Sequence, residues 1–419
     1  MDTILGSRLP DTDEEMHMVP GRVGFGSNVL AVNSEHSMDA VLACFLPLVI
    51  GYLVFRIFPS FSWAEIYSLL SSKRNAHLSR PFSVENAYHS YRRYRQLSND
   101  QLSRMRNSYA SIGRTHKRIG YDIGYPAKLN RLQETTEVNA RVTDAIARLA
   151  EREFGHLNDQ WLPEIDSGSI SRVREALKHF VRDWSADGAE ERDRIIQPIL
   201  NVLRLVDADE RAGKRVLVPG AGLGRLAWEI SQLGFDTTAN ELSFFMNLAF
   251  RFLLAPETTK SPEQHVLHPF GYWFSHQRSN DALFRSIRFP DVVPRLDENL
   301  HLSEGDFLAS SGQYDYIVTL FFIDTSLNIL STLEKIHSLL RPGGVWINLG
   351  PLLWCSGSQA KLELSLDEVW AAARAVGFTF EEGKQEECMR PRTVECEYTH
   401  DSNAMMRWIY RAEFWAARK

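Results

Sequence analysis

Cysteine is scarce in this chain of 419 residues, which contains only Cys44, Cys355, Cys388 and Cys396. Four scattered thiols are too few for a disulfide framework, so the sequence indicates a protein of a reducing compartment. Cys388, Cys396 and His400 lie near one another, but their spacing matches no usual zinc pattern. The sequence therefore predicts ordinary packing for these three residues and no metal site.

An excess of positive charge is also lacking. The chain has 47 Lys and Arg against 53 Asp and Glu, which gives a net charge of −6 and a pI near 6.1. Proteins that bind nucleic acid as their main partner usually carry a basic excess that neutralises phosphates, so the composition predicts no nucleic-acid partner. The length indicates one large domain with appendages, or two domains.

Charged residues are absent from one apolar run near the N-terminus, between Ala40 and Phe55. It lies in a segment, residues 39–60, that approaches the about 20 apolar residues a membrane-spanning helix needs. We interpret residues 40–58 as a membrane anchor, with a buried helix or a packing segment as the alternative. Basic residues follow the run, which would leave the rest of the chain in the cytosol. Without an anchor, the expected location is the cytoplasm, with the nucleus as a further compartment.

Hydrophobic periodicity divides the rest of the chain. Residues 1–38 are polar and aperiodic, which predicts a disordered tail. Residues 84–165 predict a helical N-terminal region, because their apolar residues recur three and four apart. Residues 166–419 are predicted to form a single domain, which begins with two helices. From Lys214 strands and helices alternate, which implies a parallel sheet with crossover helices.

Glycines are concentrated in one turn within RVLVPGAGLGRLAWEISQLGFDTTANE, residues 215–241. An apolar run leads into Gly220, Gly222 and Gly224, a helical pattern follows, and a second run ends on Glu241. Glycines remove the Cβ atoms that would keep a ligand from the backbone, and such ligands bind beside a helix N-terminus. These three glycines are therefore candidate cofactor contacts, and Glu241 is a candidate acceptor for ribose hydroxyls. The alternative is a turn that only packs a helix closely on a strand.

The third glycine of a dinucleotide fingerprint, G-x-G-x-x-G, is missing because Arg225 occupies its position. The observed G-x-G-x-G spacing is common in S-adenosylmethionine-dependent methyltransferases and disfavours an oxidoreductase. Downstream, GDF can end a third strand, with Asp306 accepting from an adenine amino group. Phe307 would stack on the base or donate its backbone N–H.

Further strands complete the predicted sheet. YDYIVTLFFIDT predicts a fourth strand that ends on Asp324, and VWINLGP predicts a fifth after a helix closed by Pro-Gly-Gly. FTFEEG and RWIYRAEFWAARK predict an antiparallel pair at the edge. The predicted fold class is α/β, a Rossmann-like seven-stranded methyltransferase sheet with an N-terminal helical extension.

Several strings resemble the carnosine N-methyltransferase family: VLVPGAGLGRLAWEISQLGF, NELSFFMNL, FFIDTSLNIL, LRPGGVWINLGPLLW, FVRDWSADGAEERD and RFPDV. The resemblance covers residues 85–419. It implies S-adenosylmethionine as cofactor and methyl transfer to the imidazole of a small histidine-containing dipeptide, with carnosine to anserine as the reference reaction. A homodimer stays an open option.

The resemblance also implies cofactor contacts, at His179, Arg182, Gly220, Glu241, Asp306 and Phe307. Arg182 would pair with the methionine carboxylate. His179 stands where the family usually has glutamine, and both side chains donate a hydrogen bond. Asp324 would contact the dipeptide's imidazole and Tyr410 would assist it, with Tyr398 as a further candidate.

The residues leave alternatives open at these positions. A carboxylate that holds one imidazole N–H exposes the other nitrogen as nucleophile and stabilises the imidazolium that forms. Asp324 fits this role, but it could instead cap the following helix together with Thr325. Tyr410 lies in an aromatic-rich strand and could be a core residue. The aromatic segment at residues 268–292 is either a lid over the substrate or a packed insertion.

A histidine that the family commonly has two residues after GPLL is missing, because Cys355 stands there. A cysteine is small and only a weak donor, so it cannot replace an imidazole at the same reach. Two other hypotheses therefore stay open. One is a methyltransferase for another small molecule or a protein histidine, and the other is a membrane-tethered, inactive protein that binds S-adenosylmethionine.

Overall fold

The computed structural model describes residues 80–155, 157, 167–354, 359–380 and 387–419. These residues belong to one compact unit, Lys73–Lys419. The predicted tail, the apolar segment at residues 39–60 and Cys355 lie outside the described residues. Among the residues that are described, no helix is both long enough and apolar enough to cross a membrane.

Helices occupy the chain before the first strand. They are α1 Val84–Arg92, α2 Tyr94–Ser111, α3 Arg114–Asp122, α4 Tyr125–Glu153, α5 Ser167–Trp184 and α6 Ala189–Leu203. The apolar residues of α4 recur at helical spacing and form its buried face, as at Val142, Ile146 and Leu149. This face packs α4 against α1 and α2.

Strands and helices together occupy the rest of the described chain. The strands are β1 Arg215–Pro219, β2 Asp236–Glu241, β3 His265–Leu267, β4 Ile287–Phe289, β5 Leu300–Glu304, β6 Tyr314–Leu320, β7 Leu340–Gly350, β8 Thr379–Phe380, β9 Arg392–Cys396 and β10 Tyr410–Arg418. The helices among them are α7 Arg225–Gln232, α8 Phe244–Leu254, α9 Asn280–Leu283, α10 Ile329–Leu339 and α11 Leu366–Val376. Strands and helices alternate from β1 to β4 and again from β6 to β8.

The main sheet has the order β5-β2-β1-β6-β7-β10-β8, and its first five strands are parallel. The predicted α/β class is confirmed, but the sheet has eight strands and the predicted count of seven is wrong. The additional strand, β9, pairs antiparallel with residues 410–414 of β10. On that edge of β10, β8 pairs only with Ala417 and Arg418. The first half of β10 is therefore open on the same edge, and β9 pairs there.

Arg225, in the place of a third glycine, joins the glycine turn to α5 and to the insertion after β3. Its guanidinium Nη1 donates to Asp291 Oδ1 over 2.7 Å and to a backbone carbonyl near the end of α5 over 3.2 Å. Arg192 donates to the other oxygen of Asp291 over 2.9 Å. The Trp184 indole N–H donates to the Leu223 carbonyl over 2.8 Å. The end of α5 is thereby fixed against the turn.

The aromatic segment at residues 268–292 is packed against the rest of the unit. Phe270, Phe284 and Phe289 are all buried. Arg285 lies 3.8 Å from the Phe270 ring centroid and forms a 2.6 Å ion pair with Asp401. These contacts favour the packed insertion over the lid.

Candidate active site

The two interpretations of the glycine turn apply to different glycines. A Cβ on Gly224 would lie 2.2 Å from a ring carbon of Phe250, so this glycine serves close packing. Gly222 has a φ of +57° and open space around the position of a Cβ. Its N–H donates to Glu241 over 2.8 Å. Gly222 is therefore the point at which a ligand can approach the backbone.

Glu241 ends β2, as the sequence predicts, and faces the turn. Its Oε2 accepts from the Gly222 N–H and its Oε1 from the Ser243 N–H, each over 2.8 Å. Burial raises the pKa of Glu241, while these backbone donors act in the opposite direction. An ionised carboxylate offers about four lone-pair sites, so Glu241 can still accept two ribose hydroxyls.

Asp306 and Phe307 follow β5 at the same edge of the sheet. Asp306 caps a 3₁₀ turn, since its Oδ1 accepts from the Leu308 N–H over 2.9 Å. The Phe307 ring is only 5% exposed and packs edge-to-face on Phe322, with ring centroids 5.4 Å apart. Phe322 in turn lies where a Cβ on Gly220 would meet it at 2.5 Å. The Phe307 ring is thus packed within the fold, and the two cofactor contacts expected from Phe307 stay predictions.

His179 and Arg182 lie one turn apart on α5 and share a partner, Asp183. Arg182 donates through Nε and Nη2 to the two oxygens of Asp183, over 2.6 and 3.0 Å. His179 Nδ1 is 3.5 Å from the same carboxylate. Burial alone would raise the pKa of Asp183, but the charge of Arg182 holds it well below its usual range. The sequence did not predict a role for Asp183. The available signal was its position directly after Arg182, a predicted cofactor contact.

The structure brings Tyr398 to this group and links Tyr410 to it through Phe321. The Tyr398 hydroxyl is 3.3 Å from His179 Nε2, and its ring centroid is 4.7 Å from the Arg182 guanidinium carbon. Burial raises the pKa of Tyr398 to about 12, so its hydroxyl is protonated at neutral pH. Phe321 contacts the rings of Tyr398 and Tyr410, with centroids 4.8 and 5.8 Å apart. Tyr410 therefore borders the site and also packs on an aromatic neighbour, as its core alternative requires.

Asp324 lies beyond the end of β6, in a 3₁₀ turn, and is 4% exposed. Its Oδ2 accepts from the Leu353 N–H over 3.1 Å. Burial raises its pKa to about 6. The helix-capping alternative is wrong, because the residue at the N-cap of α10 is Asn328. Asp324 is thus a buried carboxylate at the carboxyl edge of the parallel strands, where α/β sheets bind their ligands.

The cysteines of the described segments occupy ordinary packing positions. Cys396 is buried in β9 and Cys388 is partly buried, and both are free thiols. Both ring nitrogens of His400 pair with carboxylates, those of Glu191 and Glu397. No group of three or more potential metal ligands occurs within the described ranges.

The fold and the site together define a Rossmann-like methyltransferase. Five parallel strands carry a glycine turn after β1 and an acid at the end of β2, and antiparallel strands close one edge. The family model of carnosine N-methyltransferase matches residues 159–419. The chain belongs to the carnosine N-methyltransferase family and is a methyltransferase.

Relatives extend the likeness beyond that range. A carnosine N-methyltransferase of Schizosaccharomyces pombe is 33% identical over 354 residues, which cover 78% of this chain and 92% of the relative. One of Rattus norvegicus is 30% identical over 346 residues, with 78% and 84% covered. A solved structure of magnesium protoporphyrin IX methyltransferase from Synechocystis with bound SAH also matches. The match covers 60% of this chain and 95% of the Synechocystis chain. Its identity is 13% and its TM-score 0.35, so it adds no argument about function.

Proposed function

We propose that this enzyme transfers a methyl group from S-adenosylmethionine to an imidazole nitrogen of a histidine-containing dipeptide. Carnosine, which gives anserine, is the reference acceptor, because the relatives at 30–33% identity are named for that substrate. The observation that carries the proposal is Asp324, a buried carboxylate at the ligand-binding edge of the sheet.

Asp324 can orient an imidazole and balance its charge. An imidazole with a pKa near 6.5 is mostly neutral at pH 7 and needs the correct tautomer more than a strong base. A carboxylate that accepts one ring N–H leaves the lone pair of the other nitrogen free to attack. The ring becomes cationic as the new N–C bond forms, and the buried charge of Asp324 stabilises it. With its pKa raised to about 6, Asp324 is also matched to receive the N–H proton afterwards.

The residues at the other end of the site fit S-adenosylmethionine. When bound, this cofactor supplies an electrophilic methyl group on a sulfonium. Gly222 provides open backbone, and Glu241 beside it has lone-pair sites for ribose hydroxyls. A guanidinium has five N–H donors, and Asp183 uses two of those of Arg182, so Arg182 can also bind a carboxylate. Calorimetry should show binding of S-adenosylmethionine and no binding of NAD.

A methyl-transfer assay with radiolabelled S-adenosylmethionine tests the acceptor. Histidine dipeptides and a whole-cell extract would be offered in parallel. We expect label on the imidazole of carnosine. Label that appears only in other molecules of the extract would refute the dipeptide as acceptor.

The second candidate is a different histidine-containing acceptor, and Cys355 favours it. The Leu353 N–H donates to Asp324, so the chain lies at the site two residues before Cys355. Cys355→His would restore the residue type of the family. If the native acceptor is another molecule, the wild type should be nearly inert on carnosine, and the variant should gain that activity while losing the native one. A wild type as active on carnosine as the variant would show that this position does not select the acceptor.

A further inference from the structure

One carboxylate in the first turn of α6 is buried without belonging to the predicted site. Glu191 has a side chain that is only 3% exposed, whereas the side chain of its neighbour Glu190 is 88% exposed and pairs with Arg194. A buried carboxylate must find donors to offset the loss of water. The partners of Glu191 therefore show what it does in the fold.

Three donors bind Glu191, and they come from two consecutive residues more than 200 positions away in sequence. They are the Thr399 N–H at 2.6 Å, the His400 N–H at 3.2 Å and His400 Nδ1 at 2.8 Å. His400 Nε2 is 2.7 Å from Glu397 Oε2, so both ring nitrogens face carboxylates. The bond to Glu191 raises the pKa of His400, which favours the imidazolium as a double donor.

The bonds to Glu191 hold a turn that the chain would not adopt by itself. Thr399 has a φ of +48°, a left-handed conformation that a β-branched residue rarely takes. Such conformations persist where surrounding contacts impose them. On its far side the turn is held again, since Asp401 binds Arg285 over 2.6 Å and Gln277 over 3.1 Å. The turn is therefore fixed from α6 and from the insertion at once.

Tyr398 is the residue that this turn presents to the site. It directly precedes the two residues held by Glu191, and its ring lies over the Arg182 guanidinium at 4.7 Å. Its hydroxyl is 3.3 Å from His179 Nε2. A displaced turn would move the ring and expose Arg182 to water, where a charged group binds a carboxylate less strongly. Glu191 is thus linked through Tyr398 to both predicted contacts on α5, and its charge also acts on Arg182.

We propose that Glu191 is a positioning residue for the amino-acid end of the cofactor: it fixes the turn at residues 397–400 and, through Tyr398, keeps Arg182 placed to bind a carboxylate. The inference rests on S-adenosylmethionine as the cofactor in the proposed function. It does not depend on which acceptor is methylated. It therefore holds for either candidate acceptor.

The affinities for two ligands distinguish this positioning role from a general contribution of Glu191 to the stability of the fold. S-adenosylhomocysteine carries the amino-acid carboxylate, whereas 5′-methylthioadenosine has the same nucleoside without it. In calorimetric titrations of the full chain, Glu191→Ala should weaken S-adenosylhomocysteine about tenfold and change 5′-methylthioadenosine by less than about twofold. Glu191→Gln should fall between wild type and Glu191→Ala, because its amide oxygen still accepts from a backbone N–H. Glu190→Gln, the exposed neighbour, is the matched control and should behave as wild type.

A double-mutant cycle tests whether the effect passes through Tyr398. In a Tyr398→Ala background, Glu191→Ala should weaken S-adenosylhomocysteine no further, since coupled residues are not additive. Equal weakening of both ligands, or full additivity in the cycle, would overturn the positioning role. If Glu191→Ala does not fold, the comparison of the two ligands on Glu191→Gln decides. A wild type that binds neither ligand would instead refute the proposed cofactor.

Discussion

Asp324→Asn should make the folded protein more stable at neutral pH while it abolishes most of the activity. Asp324 is 4% exposed, and burial raises its pKa from 3.8 to about 6. Asparagine has nearly the same shape, and its oxygen can accept the Leu353 N–H that Asp324 now accepts over 3.1 Å. The substitution thus removes a buried charge and leaves the local hydrogen bond in place.

The magnitude follows from proton linkage. Between pH 3.8 and about 6, the folded protein keeps a proton at Asp324 that the unfolded chain has released. The contribution of Asp324 to the free energy of unfolding therefore falls as the pH rises through this window. A shift of about two pKa units corresponds to about 3 kcal/mol of lost stability above about pH 7, and to about half of that near pH 5.

Urea unfolding at about pH 7.5 and about pH 5 measures this difference, with the exposed Asp209→Asn as control. The advantage of Asp324→Asn over wild type should be about twice as large at the higher pH, whereas Asp209→Asn should show none. Turnover should fall about 100- to 1000-fold with cofactor affinity nearly unchanged. Asp324 would not be a buried charge that takes part in the reaction if the stability difference between variant and wild type did not change with pH. The same would follow if the variant kept its turnover.

Two further predictions concern the cofactor and the N-terminus. Glu241→Ala should weaken S-adenosylmethionine about ten- to a hundred-fold in calorimetry without unfolding the protein, because charge-assisted bonds to the ribose are lost. Unchanged affinity in a folded variant would show that Glu241 is not at the ribose. A chain that begins at Arg80 should keep its activity, since the described fold begins at that residue and all candidate site residues follow it. The full chain should sediment with membranes if residues 40–58 form an anchor, and recovery wholly in the soluble fraction would contradict that anchor.

The sheet could be predicted from the sequence because its signals are local. The runs of β1, β6 and β7 are largely apolar, and Glu241 ends the short strand β2 where the pattern places it. The carboxyl ends of parallel strands meet at one edge, so residues after those strands could be placed near the site without knowing any contact. The eighth strand could not be predicted, because β9 exists only where β10 extends beyond its partner β8.

The contacts around Arg182 could not be predicted in the same way. Glu190 and Glu191 are adjacent acids in the first turn of a helix. Both would be expected to stabilise the helix through a favourable interaction with its dipole. Their side chains are 88% and 3% exposed, and only the contact with residues 399 and 400 separates them. That contact depends on how the chain closes over more than 200 residues. No local pattern carries this information.

Tyr398 joins the two ends of the site because of this closure. It contacts Arg182 and His179 on α5 and also Phe321, which directly follows β6. Phe321 itself has a φ of +51° and is held by its N–H, which donates to the Leu349 carbonyl over 2.8 Å. A side chain between two such restrained groups has few alternative positions, so it can hold the proposed cofactor and acceptor ends in fixed relation. In-line methyl transfer depends on that relation, because reacting atoms must be held at near-attack distance and orientation.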